Sequence, residues 1–198
     1  RGEHGCALGG LANGGYAGWM HADCLGVMPE ATHQITAPHS FVTATADVKS
    51  RGLSHLSLGA KLHLRQPDAV GHCAAYAEID FNGTSGFVPH AHIMPLGAGC
   101  DDWVAVAESL IGSPYRWGGR ASIGLDCSAL VQLALAVAGK PVPRDSGPQH
   151  DIGTALQGID DLQRGDLVFW AGHVGIMQDG DRLLHANAHH MAVASEPL

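Results

Sequence analysis

One cysteine occupies a position where it could act as a nucleophile. Cys127 follows Asp126 at the start of an almost wholly apolar run that ends at Gly139. A helix that is apolar nearly all round is a buried one, and Asp126 is a suitable N-cap for it, which places Cys127 in the first helical turn. Because the N-terminus of a helix favours an anion, we expect a lowered pKa for this thiol and N–H groups able to form an oxyanion hole beside it.

Two histidines are candidates for the base that such a thiol needs. His173 begins one predicted strand (residues 173–177), and His185 lies within the next (residues 183–187). One imidazole could accept the proton of the thiol while the other orients it, as in cysteine-dependent acyl transfer. The chain has 14 histidines, so a Cys–His pairing by position also arises by chance. By arrangement alone, structural roles for all three residues stay open.

The elements that must position these residues fall in the second half of the chain. A helix capped by Asp101-Asp102 is predicted to place Trp103, Val104, Val106, Ala107, Leu110 and Ile111 on one apolar face and to stop at residues 112–114. The buried helix after Asp126 follows, and strands are predicted at residues 165–170, 173–177, 183–187 and 191–194. Helices followed by an antiparallel sheet predict an α+β domain over residues 98–198.

The first half of the chain contains an internal similarity. Residues 13–20 and 82–88 each have an Asn-Gly turn signal followed by glycine, an aromatic residue and an apolar residue. Short strands are predicted at residues 41–46, 60–64 and 74–81. We therefore predict a small all-β barrel as a second module over residues 29–97, and we interpret residues 1–28 as part of a first module of the same kind.

Composition and charge exclude several classes of function. With 11 Lys and Arg against 19 Asp and Glu, the net charge is −8, and 45% of residues are hydrophobic. This is a globular composition, and the acidic balance argues against binding nucleic acid or an anionic membrane. The longest charge-free, mainly apolar run (residues 127–138) is too short to span a bilayer, which needs about 20 residues.

Neither a metal site nor a disulfide framework is predicted. The five cysteines are unevenly spaced and include no CxxC pair. Apart from Cys127, we therefore expect them to be buried free thiols in a reducing compartment. The pairs His189-His190 and His90/His92 come from distant segments, and no acidic residue follows at a recognisable ligand spacing. We expect neither a metal nor any other cofactor.

Several blocks of the second half resemble the signature of the NlpC-type peptidoglycan cysteine peptidases. In chain order they are Tyr115-Arg116-Trp117-Gly118-Gly119, Gly124-Leu125-Asp126-Cys127-Ser128-Ala129-Leu130-Val131, Pro143-Arg144-Asp145-Ser146 with Gln149, Gly165-Asp166-Leu167-Val168-Phe169 through His173-Val174-Gly175, and His185-Ala186-Asn187. One departure is Ala129, where the family usually has glycine. The segment in front is similar to the bacterial SH3-like modules that often precede this domain. The resemblance implies an α+β papain-like catalytic domain preceded by small all-β SH3-like barrels.

The same resemblance implies roles for individual residues. Cys127 would be the nucleophile, His173 the general base and His185 the residue that orients the base. Tyr115 would lie beside the thiol and support the oxyanion region. An aromatic plug beside the second helix is the structural alternative for Tyr115.

Family members with SH3-like modules include enzymes that cleave between γ-D-glutamate and a diamino acid. In these, Asp126 and Ser128 would help hold the free amino group of an N-terminal L-alanine, and Tyr16 from an SH3-like module would close the pocket. The structural alternatives are helix capping for Asp126 and Ser128, and module core for Tyr16 and Trp19. Arg144 could meet a substrate carboxylate or form an ion pair with an aspartate.

The resulting prediction is a cysteine peptidase that hydrolyses the γ-D-glutamyl–diamino acid bond of free murein stem peptides, such as L-Ala-γ-D-Glu-diamino acid, in cell-wall recycling. We expect a cytoplasmic location, or a secreted or periplasmic one if a signal peptide precedes Arg1. A secreted endopeptidase acting on assembled wall, a non-catalytic wall-binding protein, and an acyltransferase or amidase on the same scaffold are the alternatives. Neither the diamino acid nor the oligomeric state can be read from the sequence.

Overall fold

The computed structural model describes residues 5–10, 16–27, 29–66, 75–159 and 161–198. The α-helices in these ranges are α1 (Trp103–Glu108), α2 (Cys127–Val137) and α3 (Ser146–Gln149). The strands are β1 (Cys6–Gly10), β2 (Ala17–His21), β3 (His33–Ile35), β4 (His39–Thr43), β5 (Gly52–Ser57), β6 (Lys61–Leu62), β7 (Tyr76–Phe81), β8 (Thr84–Pro89), β9 (Ile93–Pro95), β10 (Arg120–Ala121), β11 (Gly124–Leu125), β12 (Leu167–Trp170), β13 (His173–Met177), β14 (Arg182–Asn187) and β15 (Ala192–Pro197). No helix in this part of the chain has the length and apolar character needed to cross a membrane.

The first two strands form an antiparallel sheet of their own, with Leu8 opposite Trp19. All residues of β2 are exposed, and Trp19 is 68% exposed. Trp19 is therefore not part of a module core, so that expectation was wrong for Trp19. The predicted Asn13-Gly14 turn lies outside the described residues.

The strands from β3 to β9 form two sheets, with the orders β6-β3-β9 and β5-β4-β8-β7. Their core is apolar and contains Ile35, Val42, Ile79 and Val88. The predicted Asn82-Gly83 turn joins β7 to β8, and φ is +53° at Asn82 and +80° at Gly83, as a two-residue hairpin link requires. The described residues contain no closed barrel, so the SH3-like barrels expected from the sequence are not confirmed.

Helix α1 begins where the sequence predicts but ends earlier. The Asp102 side chain accepts a hydrogen bond from the Ala105 N–H at 3.1 Å and so caps the helix. The helix ends at Glu108, and the chain turns through Gly112, where φ is +84°. Leu110 is fully buried, whereas Ile111 is half exposed. The prediction that Ile111 belongs to the apolar helical face was wrong because the helix ends before it.

Helix α2 is the centre of the second half of the molecule. It begins at Cys127, and the Asp126 carboxylate accepts a hydrogen bond from the Ala129 N–H at 2.9 Å, as the N-cap prediction required. Ten of its eleven residues are buried. The apolar groups removed from water here stabilise the fold, and they fix the position of the helix N-terminus against the neighbouring sheet.

That sheet is antiparallel, with the strand order β12-β13-β14-β15. Trp170 pairs with His173 across the first hairpin, where Gly172 has φ +74°. The last strand differs from the prediction. It runs from Ala192 to Pro197 rather than over residues 191–194, and it pairs with β14 along its whole length. The helices followed by this sheet agree with the predicted α+β arrangement.

The N-terminal sheets dock on the second half through polar and apolar contacts. The Gln34 side-chain amide donates to the Val137 carbonyl at the end of α2 (3.0 Å), and the Ser122 hydroxyl lies 3.0 Å from His39 Nδ1. Leu58 is buried in the same apolar core as α2. These contacts fix the first half of the chain relative to the helix that carries Cys127.

Candidate active site

The Cys127 thiol lies at the N-terminus of α2, and the residue is 7% exposed. The Val174 N–H on β13 and the N–H groups of Cys127 and Ser128 point toward the sulfur and favour its charged form. Burial acts in the opposite direction and dominates, with the negative charge of Asp126 adding to it, so the pKa of the Cys127 thiol is raised. The sequence-based expectation of a lowered pKa was wrong because it considered the helix N-terminus and not the burial of the sulfur.

His173 and His185 form a connected pair on β13 and β14. His173 Nε2 lies 3.0 Å from His185 Nδ1, which leaves His173 Nδ1 as the ring nitrogen available to the thiol. Val174 follows His173 directly and reaches the Cys127 sulfur, so the histidine and the thiol are at the same end of β13. Burial, reinforced by nearby His185, lowers the pKa of His173, although Asp126 opposes this shift. A neutral imidazole can accept a proton.

An aromatic side chain covers the histidine pair. The Trp170 ring centroid lies 4.7 Å from that of His173 and 6.0 Å from that of His185. The indole thus limits the access of water to both imidazoles. Trp170 was not among the predicted site residues, and its only signal in the sequence is its position three residues before His173, across a predicted hairpin.

Asp126 is held by a buried ion pair with Arg144. The guanidinium donates through Nη1 to Asp126 Oδ1 at 2.8 Å and through Nη2 to Oδ2 at 2.7 Å. The Gly118 N–H also donates to Oδ2 (2.9 Å). Burial favours the neutral carboxyl, but the hydrogen bonds from Arg144, Ala129 and Gly118 outweigh it and hold the pKa of Asp126 below its usual value.

The remaining predicted residues share one cavity of about 550 Å³ with Cys127. Tyr115 and Ser128 line it, and the Ser128 hydroxyl accepts a hydrogen bond from Arg144 at 3.0 Å. Burial raises the pKa of Tyr115, and the negative charge of the nearby Cys127 thiolate adds to the shift. Among the described residues, no group of three or more His, Cys, Asp or Glu side chains is arranged to hold a metal ion.

Tyr16, which is half exposed, also lines this cavity. Its hydroxyl donates a hydrogen bond to Asp145 Oδ2, although the two residues are 129 positions apart in the chain. This hydrogen bond, together with partial desolvation and the charge of Asp145, raises the pKa of Tyr16. No site role was predicted for Asp145, which was only part of the Pro143-Arg144-Asp145-Ser146 block. Its contact with Tyr16 depends on how the first half of the chain docks on the second.

Comparisons with known proteins relate the chain to one family. The model described as "NlpC/P60 family" matches residues 112–197. A Bacillus cereus protein named gamma-D-glutamyl-L-lysine dipeptidyl-peptidase is 30% identical over 171 residues, which are 81% of this chain and 51% of that protein. A Bacillus subtilis protein of the same name is 26% identical over 186 residues, 87% of this chain and 60% of that protein.

A solved structure extends the likeness to the fold. The crystal structure of an NlpC/P60 family protein from Bacillus cereus superposes with a TM-score of 0.76 at 24% identity, over 93% of this chain and 66% of the other. This likeness covers both halves of the molecule. The chain spans about half to three fifths of the length of the two curated relatives.

Proposed function

We propose that this chain, whose residues 112–197 match the model of the NlpC/P60 family, hydrolyses the γ-D-glutamyl–diamino acid bond of free murein stem peptides that begin with L-Ala. The family match and the names of the relatives confirm the predicted class of domain, a cysteine endopeptidase. The bond cleaved, the murein peptide as substrate and the role in recycling are the proposal. It is supported most directly by the hydrogen bond from Tyr16 to Asp145 across the cavity that holds Cys127.

In the proposed reaction, Cys127 Sγ attacks the γ-glutamyl carbonyl carbon as its proton passes to His173 Nδ1. The N–H groups of Cys127 and Ser128 lie close enough to the sulfur to stabilise the oxyanion that forms. His173 then protonates the leaving amine of the diamino acid, and the C–N bond breaks. Water, deprotonated by His173, attacks the thioester and releases the dipeptide and the thiol.

The hydrogen bond between Tyr16 and Asp145, which both line the cavity, supports a substrate with a short N-terminal part. L-Ala-γ-D-Glu is the part that would lie between the thiol and Tyr16, with its ammonium near Asp145. Both oxygens of the Asp126 carboxylate are already engaged by Arg144 and by backbone N–H groups. In the proposed complex, Asp126 and Ser128 therefore shape this end of the pocket, and Asp145 supplies the negative charge that meets the ammonium.

The same function implies a role for the first half of the chain. We propose that the sheets within residues 29–97 are an SH3-like module and that residues 1–28 belong to another, whose role is to present Tyr16 to the cavity. A peptidase restricted to free stem peptides would act in the cytoplasm, where recycled peptides are degraded. Neither a metal nor a cofactor enters the proposed reaction.

Hydrolysis of a matched pair of peptides tests the proposal. One is L-Ala-γ-D-Glu-L-Lys with a free amine and the other is its N-acetylated form, each also made with diaminopimelate, and products are followed by mass spectrometry. We expect release of L-Ala-D-Glu from the free peptides only, and no release by Cys127→Ala. Equal cleavage of the acetylated peptides would instead support an endopeptidase of assembled wall. Absence of cleavage by the folded protein would contradict the proposal and leave wall binding or acyl transfer.

A further inference from the structure

A carboxylate on the last strand reaches the back of the histidine pair. Glu196 lies on β15 opposite Leu183 of β14, and its Oε1 is 2.7 Å from His185 Nε2. The His185 side chain is only 8% exposed, whereas that of Glu196 is 39% exposed. Glu196, His185 and His173 therefore form a row of contacting side chains, with the carboxylate of Glu196 at its more exposed end.

A second group competes for the same nitrogen. The Asn187 side-chain amide nitrogen lies 2.9 Å from His185 Nε2. The orientation of this amide is set by its oxygen, which accepts a hydrogen bond from the His190 N–H at 2.7 Å. His185 Nε2 can donate a proton to the Glu196 carboxylate or accept one from the Asn187 amide, but it cannot do both.

The choice between these partners decides which nitrogen of His173 carries a proton. If Asn187 donates to His185 Nε2, then His185 Nδ1 is protonated and donates to His173 Nε2. The proton of neutral His173 is then on Nδ1, the nitrogen available to the thiol, and it cannot act as a base there. If His185 Nε2 donates to Glu196, then Nδ1 accepts the proton of His173 Nε2, and His173 Nδ1 presents a lone pair.

We propose that Glu196 is a positioning residue that selects the second arrangement and so keeps His173 Nδ1 able to accept the proton of Cys127. This inference rests on the proposed function. The bond to the carboxylate is charge-assisted and shorter than the contact with the neutral amide, so it determines the tautomer of His185. When the thiol proton moves to His173 Nδ1, the imidazolium keeps its Nε2 proton on His185 Nδ1, and no proton moves to Glu196.

Few other charged groups face this row. His190 Nε2 lies 3.8 Å from Glu196 Oε2, and Asp126 is the charged group that acts on His173 besides His185. The guanidinium of Arg182 on β14 is bonded to Ser195 rather than to Glu196. Among the described residues, Glu196 is therefore the carboxylate that contacts His185.

Two variants separate tautomer selection from a structural contribution of Glu196. Glu196→Ala removes the acceptor and leaves the Asn187 amide as the partner of His185 Nε2. Adding Asn187→Asp restores an acceptor, because one carboxylate oxygen replaces the amide nitrogen and the other still accepts the His190 N–H. Glu78→Ala is the matched control, because Glu78 is likewise a glutamate on a strand. Its hydrogen-bond partner is the Ser85 hydroxyl, and it lies in the other half of the molecule.

The primary measurement is the ¹⁵N NMR signature of His173 and His185 in the full chain, which reports which ring nitrogen is protonated. We expect wild type, Glu78→Ala and the double variant to carry the proton of His185 on Nε2, and Glu196→Ala to carry it on Nδ1. With the L-Ala-γ-D-Glu-L-Lys peptide, Glu196→Ala should lower kcat roughly 10- to 100-fold with little change in KM. The double variant should recover most of that loss.

An unchanged tautomer in Glu196→Ala, or no recovery in the double variant, would overturn the inference. If Glu196→Ala does not fold, Glu196→Gln provides the comparison. Its carbonyl oxygen can still accept the Nε2 proton, so the wild-type tautomer is expected with a smaller loss of kcat, and the opposite tautomer would contradict the inference. The NMR result is independent of turnover. A wild-type protein that cleaves neither peptide would therefore contradict the proposed function while the tautomers still decide the role of Glu196.

Discussion

The cavity has two ends, and the chain builds them in different ways. At the thiol end, Cys127 lines the cavity. Its helix α2 packs in one apolar core with β13 and β14, the strands that carry His173 and His185. At the other end, Tyr16 and Asp145 meet from positions 129 residues apart. The first end depends on the core of one domain, whereas the second depends on the docking of a separate segment. The proposed function therefore predicts that mutations can separate the chemical step, at the thiol end, from peptide selection at the other end, which we call the selection end.

The two ends also differ in charge. The thiol end is buried, and the directions of the two shifts, a raised pKa for Cys127 and a lowered pKa for His173, favour an uncharged pair. The selection end holds Asp126, Asp145 and Arg144 within one cavity. A dry, neutral pair suits proton transfer during attack, whereas a charged wall suits the orientation of a zwitterionic peptide.

The largest effect is expected from Cys127→Ala. Loss of the nucleophile should lower kcat roughly 10⁴-fold or more, whereas binding of the free peptide at the selection end should stay within about twofold, because no contact there is removed. Single-turnover kinetics and calorimetric titration measure the two quantities. The control is Cys24→Ala. The sequence-based expectation of a buried thiol was wrong at this position, because Cys24 is exposed. Substantial turnover by Cys127→Ala would exclude it as the nucleophile.

The second prediction compares the loss of stability on replacing two aspartates, Asp126 and Asp102, each of which caps a helix and pairs with an arginine. The side chains of Asp126 and Arg144 are 9% and 12% exposed, whereas those of Asp102 and Arg164 are 53% and 37% exposed. Asparagine keeps the cap in both cases. Asp126→Asn should lower the free energy of unfolding by about 3 kcal/mol because Arg144 stays buried without an anion, and Asp102→Asn by less than about 1 kcal/mol.

Urea unfolding followed by circular dichroism measures both values. An equal decrease in the free energy of unfolding for the two variants would mean that burial does not set the strength of the Asp126–Arg144 pair.

A smaller effect is expected from Tyr16→Phe, which removes only the hydroxyl that donates to Asp145. We expect kcat/KM for the free-amine peptide to fall about tenfold, mostly through KM, and alkylation of Cys127 to be unchanged. Trp19→Phe is the control on the same hairpin, since Trp19 is exposed. A fall in kcat alone, with KM unchanged, would place Tyr16 at the chemical step instead.

The smallest expected effect is a shift in the pH dependence of Cys127 alkylation. Because burial raises the pKa of Cys127, the thiolate fraction at neutral pH is lower than for a free cysteine, whose pKa is about 8.5. The alkylation rate of Cys127 with iodoacetamide, measured by peptide mass spectrometry, should therefore rise with pH to a midpoint above that value. A midpoint below it would show that the helix N-terminus outweighs burial after all.

Local signals in the sequence predicted part of this structure well. The Asp126 cap, the start of α2 at Cys127 and the Asn82-Gly83 turn each depend on a few neighbouring residues, and all three are present. The order of elements in the second half likewise agrees with the periodicity of the apolar residues.

Features that depend on packing between distant segments could not be predicted from local sequence signals. The pKa direction of Cys127 depends on how much of the sulfur the sheet buries, and the Asp126–Arg144 pair was one of two alternatives for Arg144. Glu196 was missed because the apolar alternation suggested that the strand ends at residue 194, whereas pairing with β14 extends it to Pro197. The contact between Tyr16 and Asp145 requires the docked arrangement of both halves.

The most direct test of the separation between the two ends is the selectivity of Asp145→Asn. The quantity is the ratio of kcat/KM for L-Ala-γ-D-Glu-L-Lys to that for its N-acetylated form, measured together with the alkylation rate of Cys127. We expect the ratio to fall at least about tenfold, because the carboxylate proposed to meet the ammonium is lost, while the alkylation rate stays unchanged. An unchanged ratio would contradict the assignment of this end of the cavity to the free amine.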